Sequence, residues 1–139
     1  MKYKFIPHTA DIKFKAFGGG FEKCFGNAGY ALKEIICKDK VKNKIKKEFS
    51  VKGKDFESLL YNFLEELLFL FETENFIWGR FKIKIEVKNK GKDLKLDAEV
   101  LGDKANKYEL ETHIKAITYN EMYVKETDKG WESQVVLDV

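Results

Sequence analysis

The segment from Phe56 to about Glu72 limits what this chain can fold into more than any other. Phe56, Leu59, Leu60, Phe63, Leu64, Leu67, Leu68 and Phe71 recur every three or four residues, while Glu57, Asn62, Glu65 and Glu66 supply polar positions. That period makes a helix with a wide apolar face, and Asp55 stands where an N-cap belongs. Large side chains stabilise by roughly 1.5–3 kcal/mol each when buried, so the rest of the chain must provide a broad apolar surface for this helix. A face that docks a partner is the alternative reading; a core face is the ordinary one.

The flanking segments read mainly as strands. Tyr3-Lys4-Phe5-Ile6 is a short apolar strand, and Pro7-His8-Thr9-Ala10-Asp11 hands it over to a second in which Ile12, Phe14 and Ala16 alternate with Lys13 and Lys15. Gly18-Gly19-Gly20 reads as a strand-to-helix turn. Phe21, Phe25, Ala28, Leu32 and Ile35 then give a helix running to Cys37, in which Gly26 and Gly29 either weaken the helix or permit close packing on a sheet. Phe81 to Val87 and Leu94 to Val100 alternate around Asn89-Lys90-Gly91, a hairpin by pattern. A polar link from Gly102-Asp103 to about Glu111 leads to a strand over 114–125. Asp128-Lys129-Gly130 turns the chain into a last strand, Trp131 to Val139, whose successive Val135, Val136 and Leu137 suggest burial on both faces. The order strand, strand, helix, strand, helix and four strands predicts a single α+β domain over 1–139. Its expected form is two layers, with two helices packed on one face of a mixed sheet.

Residues 38–54 are the most basic stretch, with eight lysines against Asp39 and Glu48. A solvated loop followed by an edge strand guarded by lysines accounts for it; a docking surface for RNA or an acidic partner is the sharper alternative. Arg80 is the only arginine among 26 basic residues, and the net charge is only +3. Both facts weigh against an arginine-rich surface that reads bases directly. No apolar run reaches the roughly 20 residues of a membrane span. Lys2 and Lys4 break up the N-terminus, so a signal peptide is not expected and a cytoplasmic protein is. Cys24 and Cys37 lie too far apart along one helix to bridge, and they lack the spacing of a thiolate zinc site.

Serine-nucleophile, phosphate-loop and dinucleotide motifs are absent from the sequence. His8 and His113 are its only histidines, and neither has a second histidine at ligand spacing. Three polar residues then stand out at strand positions: Asp11 at the mouth of a strand, Lys115 beside Ile117 and Tyr119 on a partly buried face, and Asp138 after the buried-looking Val135-Val136-Leu137. Each alone has an ordinary explanation as a turn residue, a snorkelling lysine or a frayed end.

Together with their surroundings these residues resemble the archease family. His8-Thr9-Ala10-Asp11, the block Leu59 to Leu68, Ile114-Lys115-Ala116-Ile117-Thr118-Tyr119 and the closing Asp138-Val139 occur in that family's order, across nearly the whole chain. The resemblance implies an accessory protein of the tRNA-splicing RNA ligase that joins 5′-hydroxyl ends to 3′-phosphate or 2′,3′-cyclic phosphate ends. Such a protein promotes guanylylation of the ligase's active-site histidine and restores it for repeated turnover. Asp11, Asp138 and the carboxylate of Val139 match the family's metal ligands, Lys115 its activating lysine, and His8 belongs to the same motif as ligand or support.

An all-oxygen set of that kind suits Ca²⁺, Mg²⁺ or Mn²⁺ rather than zinc. It also implies that even a short extension after Val139 impairs the protein. Asn120 departs from the pattern, standing where many members have histidine, and Val139 replaces the frequent isoleucine. The expected partner is the ligase's catalytic subunit, with RNA contacted at most indirectly and no membrane. Two other classes compete: a general chaperone or protein-interaction module, and a small metal-dependent hydrolase with His8 as its base.

Overall fold

The computed structural model of the chain describes residues 1–7 and 11–139. Seven strands and two helices follow in the predicted order: β1 (Tyr3–Ile6), β2 (Ile12–Gly18), α1 (Phe21–Ile36), β3 (Ile45–Gly53), α2 (Phe56–Glu74), β4 (Phe76–Lys88), β5 (Asp93–Lys104), β6 (Ala116–Thr127) and β7 (Gly130–Asp138). The α+β class holds. The sheet differs, because the expected mixed sheet is two antiparallel ones, ordered β1-β2-β7-β6 and β3-β5-β4. The helices do not share one face of a single sheet. α1 rests on β2 and β7 and also meets β4, while α2 rests on β3 and β4 and also meets β6. Helices between two sheets bury apolar surface on two sides, and one core cluster joins both helices to both sheets.

α2 is positioned as its pattern requires. Ser58 N donates to Asp55 Oδ1 at 2.7 Å while Asp55 N donates to Ser58 Oγ at 3.2 Å, a reciprocal cap. Leu59, Leu60, Phe63, Leu64 and Leu67 are completely buried, and Asn75, in the left-handed region at φ 53°, ends the helix.

α1 runs along the free edge of β4. Ile85 N donates to Glu22 Oε2 at 2.8 Å, and Phe81 N donates to the Tyr30 hydroxyl at 3.3 Å. Between those contacts, an added Cβ at Gly26 would lie 3.7 Å from Ile83 Cδ1. Four helical residues advance about 6 Å and two strand residues about 6.6 Å, so the two spacings stay in step. The helix thereby occupies edge amides that would otherwise invite another strand. At the edge of the other sheet, Val124 N of β6 donates to Glu57 Oε1 of α2 at 3.2 Å.

Other expectations fall into place on this frame. The lysine-rich stretch becomes a loop anchored by buried Val41, then β3, an edge strand. Its Lys47 pairs with Glu74 at 2.7 Å and its Lys46 with Glu48 at 3.5 Å. Cys24 and Cys37 are buried free thiols, and burial pushes the Cys24 thiol up to about 11, which makes it a poor nucleophile.

The two helix glycines have different roles. A Cβ at Gly29 would sit 2.7 Å from Cε2 and Cζ of Phe81, whose ring is flanked by Tyr30 and Phe63. Gly26 has room for one. Gly29→Ala is therefore expected to destabilise the protein by about 1–3 kcal/mol through overpacking. Gly26→Ala is expected to be neutral or stabilising, by up to about 1 kcal/mol, through helix propensity. Urea unfolding checks the contrast: the midpoint should fall for Gly29→Ala and hold level or rise for Gly26→Ala.

Candidate metal and activation site

β7 is the axis of the candidate site. Val135, Val136 and Leu137 are all buried, as their succession suggested, and β7 is paired on both sides. Leu137 lies opposite Ile12 of β2 and Ile117 of β6, and Asp138 lies opposite Ala116. One position beyond the Ile12–Leu137 pair come Asp11 and Asp138. On the other flank Lys115 N donates to Asp138 O at 2.8 Å. Asp11, Lys115, Asp138 and Val139, scattered along the sequence, are thus gathered at one end of one sheet. His8, with Thr9 and Ala10, lies outside the described residues.

Lys115 is not placed as its strand pattern suggested. It is exposed and precedes β6, because the buried neighbour Ile114 takes the core position and β6 begins at Ala116. The segment over 109–115 has no regular structure but is pinned. Glu111 N donates to Ile36 O at 2.7 Å, and Glu109 N to Asp39 Oδ2 at 3.4 Å.

Just before this segment stands Asp103, only 2% exposed, which sequence reasoning assigned to a polar link. Its carboxylate accepts from Lys104 N and from the Tyr108 hydroxyl, both at 2.8 Å, and Lys107 Nζ lies 3.6 Å away. The Tyr108 oxygen in turn accepts from Lys42 N at 2.9 Å, tying in the lysine-rich loop. The Lys104 amide, then the Tyr108 hydroxyl and Lys107, hold the Asp103 carboxyl below the usual carboxylate range. A lone aspartate after glycine gives no sequence signal of such a network.

Charges on the outer face of this sheet are matched. Lys13, two residues beyond Asp11, reaches Glu121 at 3.2 Å; Lys15 lies 3.9 Å from Glu132, which also accepts from the Tyr123 hydroxyl. Burial, then that bond and the charge of Glu132, push the Tyr123 hydroxyl strongly upward. Among the described residues no group of three or more His, Cys, Asp or Glu side chains is arranged to hold a metal. The side chains offer two carboxylates, Asp11 and the exposed Asp138, next to the backbone oxygens of Val139. A donor set of oxygens alone matches a hard divalent cation.

β6 contains the feature sequence reading missed most completely. Its register on β7 jumps between Thr118 and Tyr123, so that 119–122 bulge out, with Glu121 in the left-handed region at φ 53°. Thr118 Oγ1 donates to Val136 O at 2.8 Å and Gln134 Nε2 to Glu121 O at 2.8 Å, fixing both flanks of the bulge. Asn120 is exposed within it, and Tyr119 stacks on Tyr61 of α2.

The archease protein family model matches residues 3–139. Protein archease of Methanosarcina barkeri is 37% identical over 141 residues, covering 99% of this chain and 96% of that protein. Protein archease of Pyrococcus abyssi is 39% identical, covering 99% of each. The solution structure of Methanobacterium thermoautotrophicum protein 1598 superposes with a TM-score of 0.85 at 31% identity, over 99% of this chain and 98% of that one. A crystal structure of an archease, possible chaperone, from Thermotoga maritima shares the fold, with a TM-score of 0.64 at 23% identity over 98% and 96% of the two chains.

The Asp103 network gives a pH dependence of defined sign. A carboxyl held low in the folded state contributes stability that is present above its unfolded value, near 4, and lost as pH falls through the folded value. Asp103→Asn is expected to lower the melting temperature at pH 7 and to flatten the wild-type loss of stability below pH 4. Thermal melts from pH 2 to 7 check both parts.

Proposed function

This chain belongs to the archease family, and from that premise we propose that it activates the tRNA-splicing RNA ligase that joins 5′-hydroxyl ends to 3′-phosphate or 2′,3′-cyclic phosphate ends. It acts as an accessory protein rather than an enzyme. The activity it promotes is guanylylation of the ligase's active-site histidine, which returns the ligase to a state ready for another turnover. The observation that carries this reading is the meeting of Asp11, Asp138, Val139 and the exposed Lys115 at one end of the β1-β2-β7-β6 sheet.

Asp11, Asp138 and the backbone oxygens of Val139 would hold a divalent cation, Ca²⁺, Mg²⁺ or Mn²⁺, which supplies positive charge where nucleotide phosphates carry negative charge. The chain's own residues do the rest. β7, paired on both sides, fixes Asp138 beside Asp11. The Lys115 amide holds on to Asp138 O, which leaves the lysine side chain to reach outward. A lysine ammonium so presented serves as a point charge for phosphate oxygens. In this reading the ligase's catalytic subunit is the partner, RNA is met at most through the ligase, and the place of work is the cytoplasm. No described helix is long and apolar enough to cross a membrane.

A general chaperone would need a contiguous apolar surface. Apart from Tyr119, the large exposed apolar side chains include Phe5, Phe69 and Leu110, and these lie on β1, α2 and the 109–115 segment. Single exposures on separate elements are ordinary for a protein surface.

The test is guanylylation of the purified cognate ligase by GTP with and without this protein. Wild type is expected to stimulate it. Asp11→Asn, Asp138→Asn and Lys115→Met are each expected to lose at least about tenfold of the stimulation while melting like wild type. Carboxylate variants that stimulate as well as wild type would overturn the cation reading, and a wild type without effect would overturn the activator reading.

A further inference from the structure

Tyr119 presents a large aromatic ring to solvent, 54% exposed, at a point where the fold could have kept it in a regular strand. It reaches that position because 119–122 bulge from β6 and the bulge is fixed by the bonds of Thr118 and Gln134. Bulges that re-aim a side chain are common beside functional sites. One face of the ring lies flat on Tyr61, with centroids 4.2 Å apart and planes 8° from parallel. The other face is the exposed one. Tyr119 also lies on the strand that begins at Ala116, opposite Asp138, three residues from the candidate site along the chain.

Carboxylates flank the stack on the α2 side, while Lys13, which reaches the bulge, is paired with Glu121. Asp55 is close enough to raise the Tyr119 hydroxyl, and Glu65 the Tyr61 hydroxyl, in each case behind a larger effect of burial. Glu57, one helical turn before Tyr61, reaches β6 at Val124. A flat aromatic face flanked by carboxylates favours a cation over nucleic-acid phosphates. A guanidinium fits better than an ammonium, because it is planar and can stack on the ring while its N–H groups reach carboxylates. The chain's single arginine is Arg80, on β4 of the other sheet. The guanidinium therefore has to come from a partner.

From these observations we infer that the exposed face of Tyr119, backed by Tyr61 and flanked by Asp55, Glu57 and Glu65, is a docking platform for an arginine side chain of the partner protein. The inference rests on the ligase being that partner and names a contact outside the carboxylate and lysine set. Its role is to hold the partner against β6, so that the end of the sheet carrying Asp11, Lys115 and Asp138 meets the ligase.

Binding of this protein to the purified ligase, measured by titration calorimetry apart from any guanylylation, provides the test. Tyr119→Ala is expected to weaken binding roughly 3- to 30-fold. Tyr119→Phe keeps the ring and should bind within about twofold of wild type, and Glu65→Gln should fall between the two. Thermal melts control for folding. Wild-type binding that Tyr119→Ala leaves unchanged overturns the platform alone, whereas a wild type that does not bind overturns the ligase as partner and the platform with it. Loss in Tyr119→Ala of binding to a single-stranded oligouridine, with ligase binding intact, would make the ring a base-stacking surface and overturn the inference as well.

Discussion

The pairing of β7 on both sides is the constraint on which the candidate site depends. Buried on both faces through Val135, Val136 and Leu137, the strand cannot slip by one residue without moving each of these side chains into the space packed on the opposite face. That fixed register sets Leu137 between Ile12 and Ile117, and the next step sets Asp138 beside Ala116 and next to the position of Asp11. Residues from the two extremes of the sequence meet because the last strand is a central one. The packing of α1 on β2 and β7 supports the arrangement, since Asn27 Nδ2 donates to Phe17 O at 2.6 Å and Cys24 Sγ to Ala16 O at 3.4 Å.

Period and punctuation disclosed the elements, but partners were another matter. The apolar stripe of α2 and its cap were legible because each signal is local, within four residues. The split into two sheets was not legible, since alternation tells which face of a strand is buried and not which strand lies beside it. β4 was read from Phe81 although it begins at Phe76. Phe76, Ile77 and Trp78 are all buried and show no alternation, and the register shifts at Gly79. At the site, Asp11 and Asp138 stood out because each interrupts or ends an apolar strand. Lys115 was singled out for a burial it does not have. The Tyr119 excursion was not read from the pattern, although four residues of β6 stand there against one of β7 and reverse the parity, so that Ile117 before it and Val124 after it are both buried.

The two helices also settle how a protein with two open sheets keeps its strand edges from pairing with other chains. Glu22 and Tyr30 occupy amides of β4, and Glu57 one of β6, so a strand edge in each sheet is bonded from the side by a helix. β3, an edge strand with no such helix bond to its amides, instead carries lysines, and Asn62 Nδ2 donates to its Lys52 O at 2.7 Å. Charge and side-chain capping are alternative ways to blunt an edge. Much of the lysine content between 38 and 54 is then explained by the fold, without a nucleic-acid partner.

What the fold leaves unexplained is the grouping of acids at the end of β7. Like charges at neighbouring positions of an antiparallel pair work against stability. Packing alone would be served as well by apolar or neutral residues at 11 and 138. In the reading proposed above, a cation bound there and a partner docked there would favour one another through the same free energy. Such a linkage is what the activator proposed above would need, and a purely structural module would not.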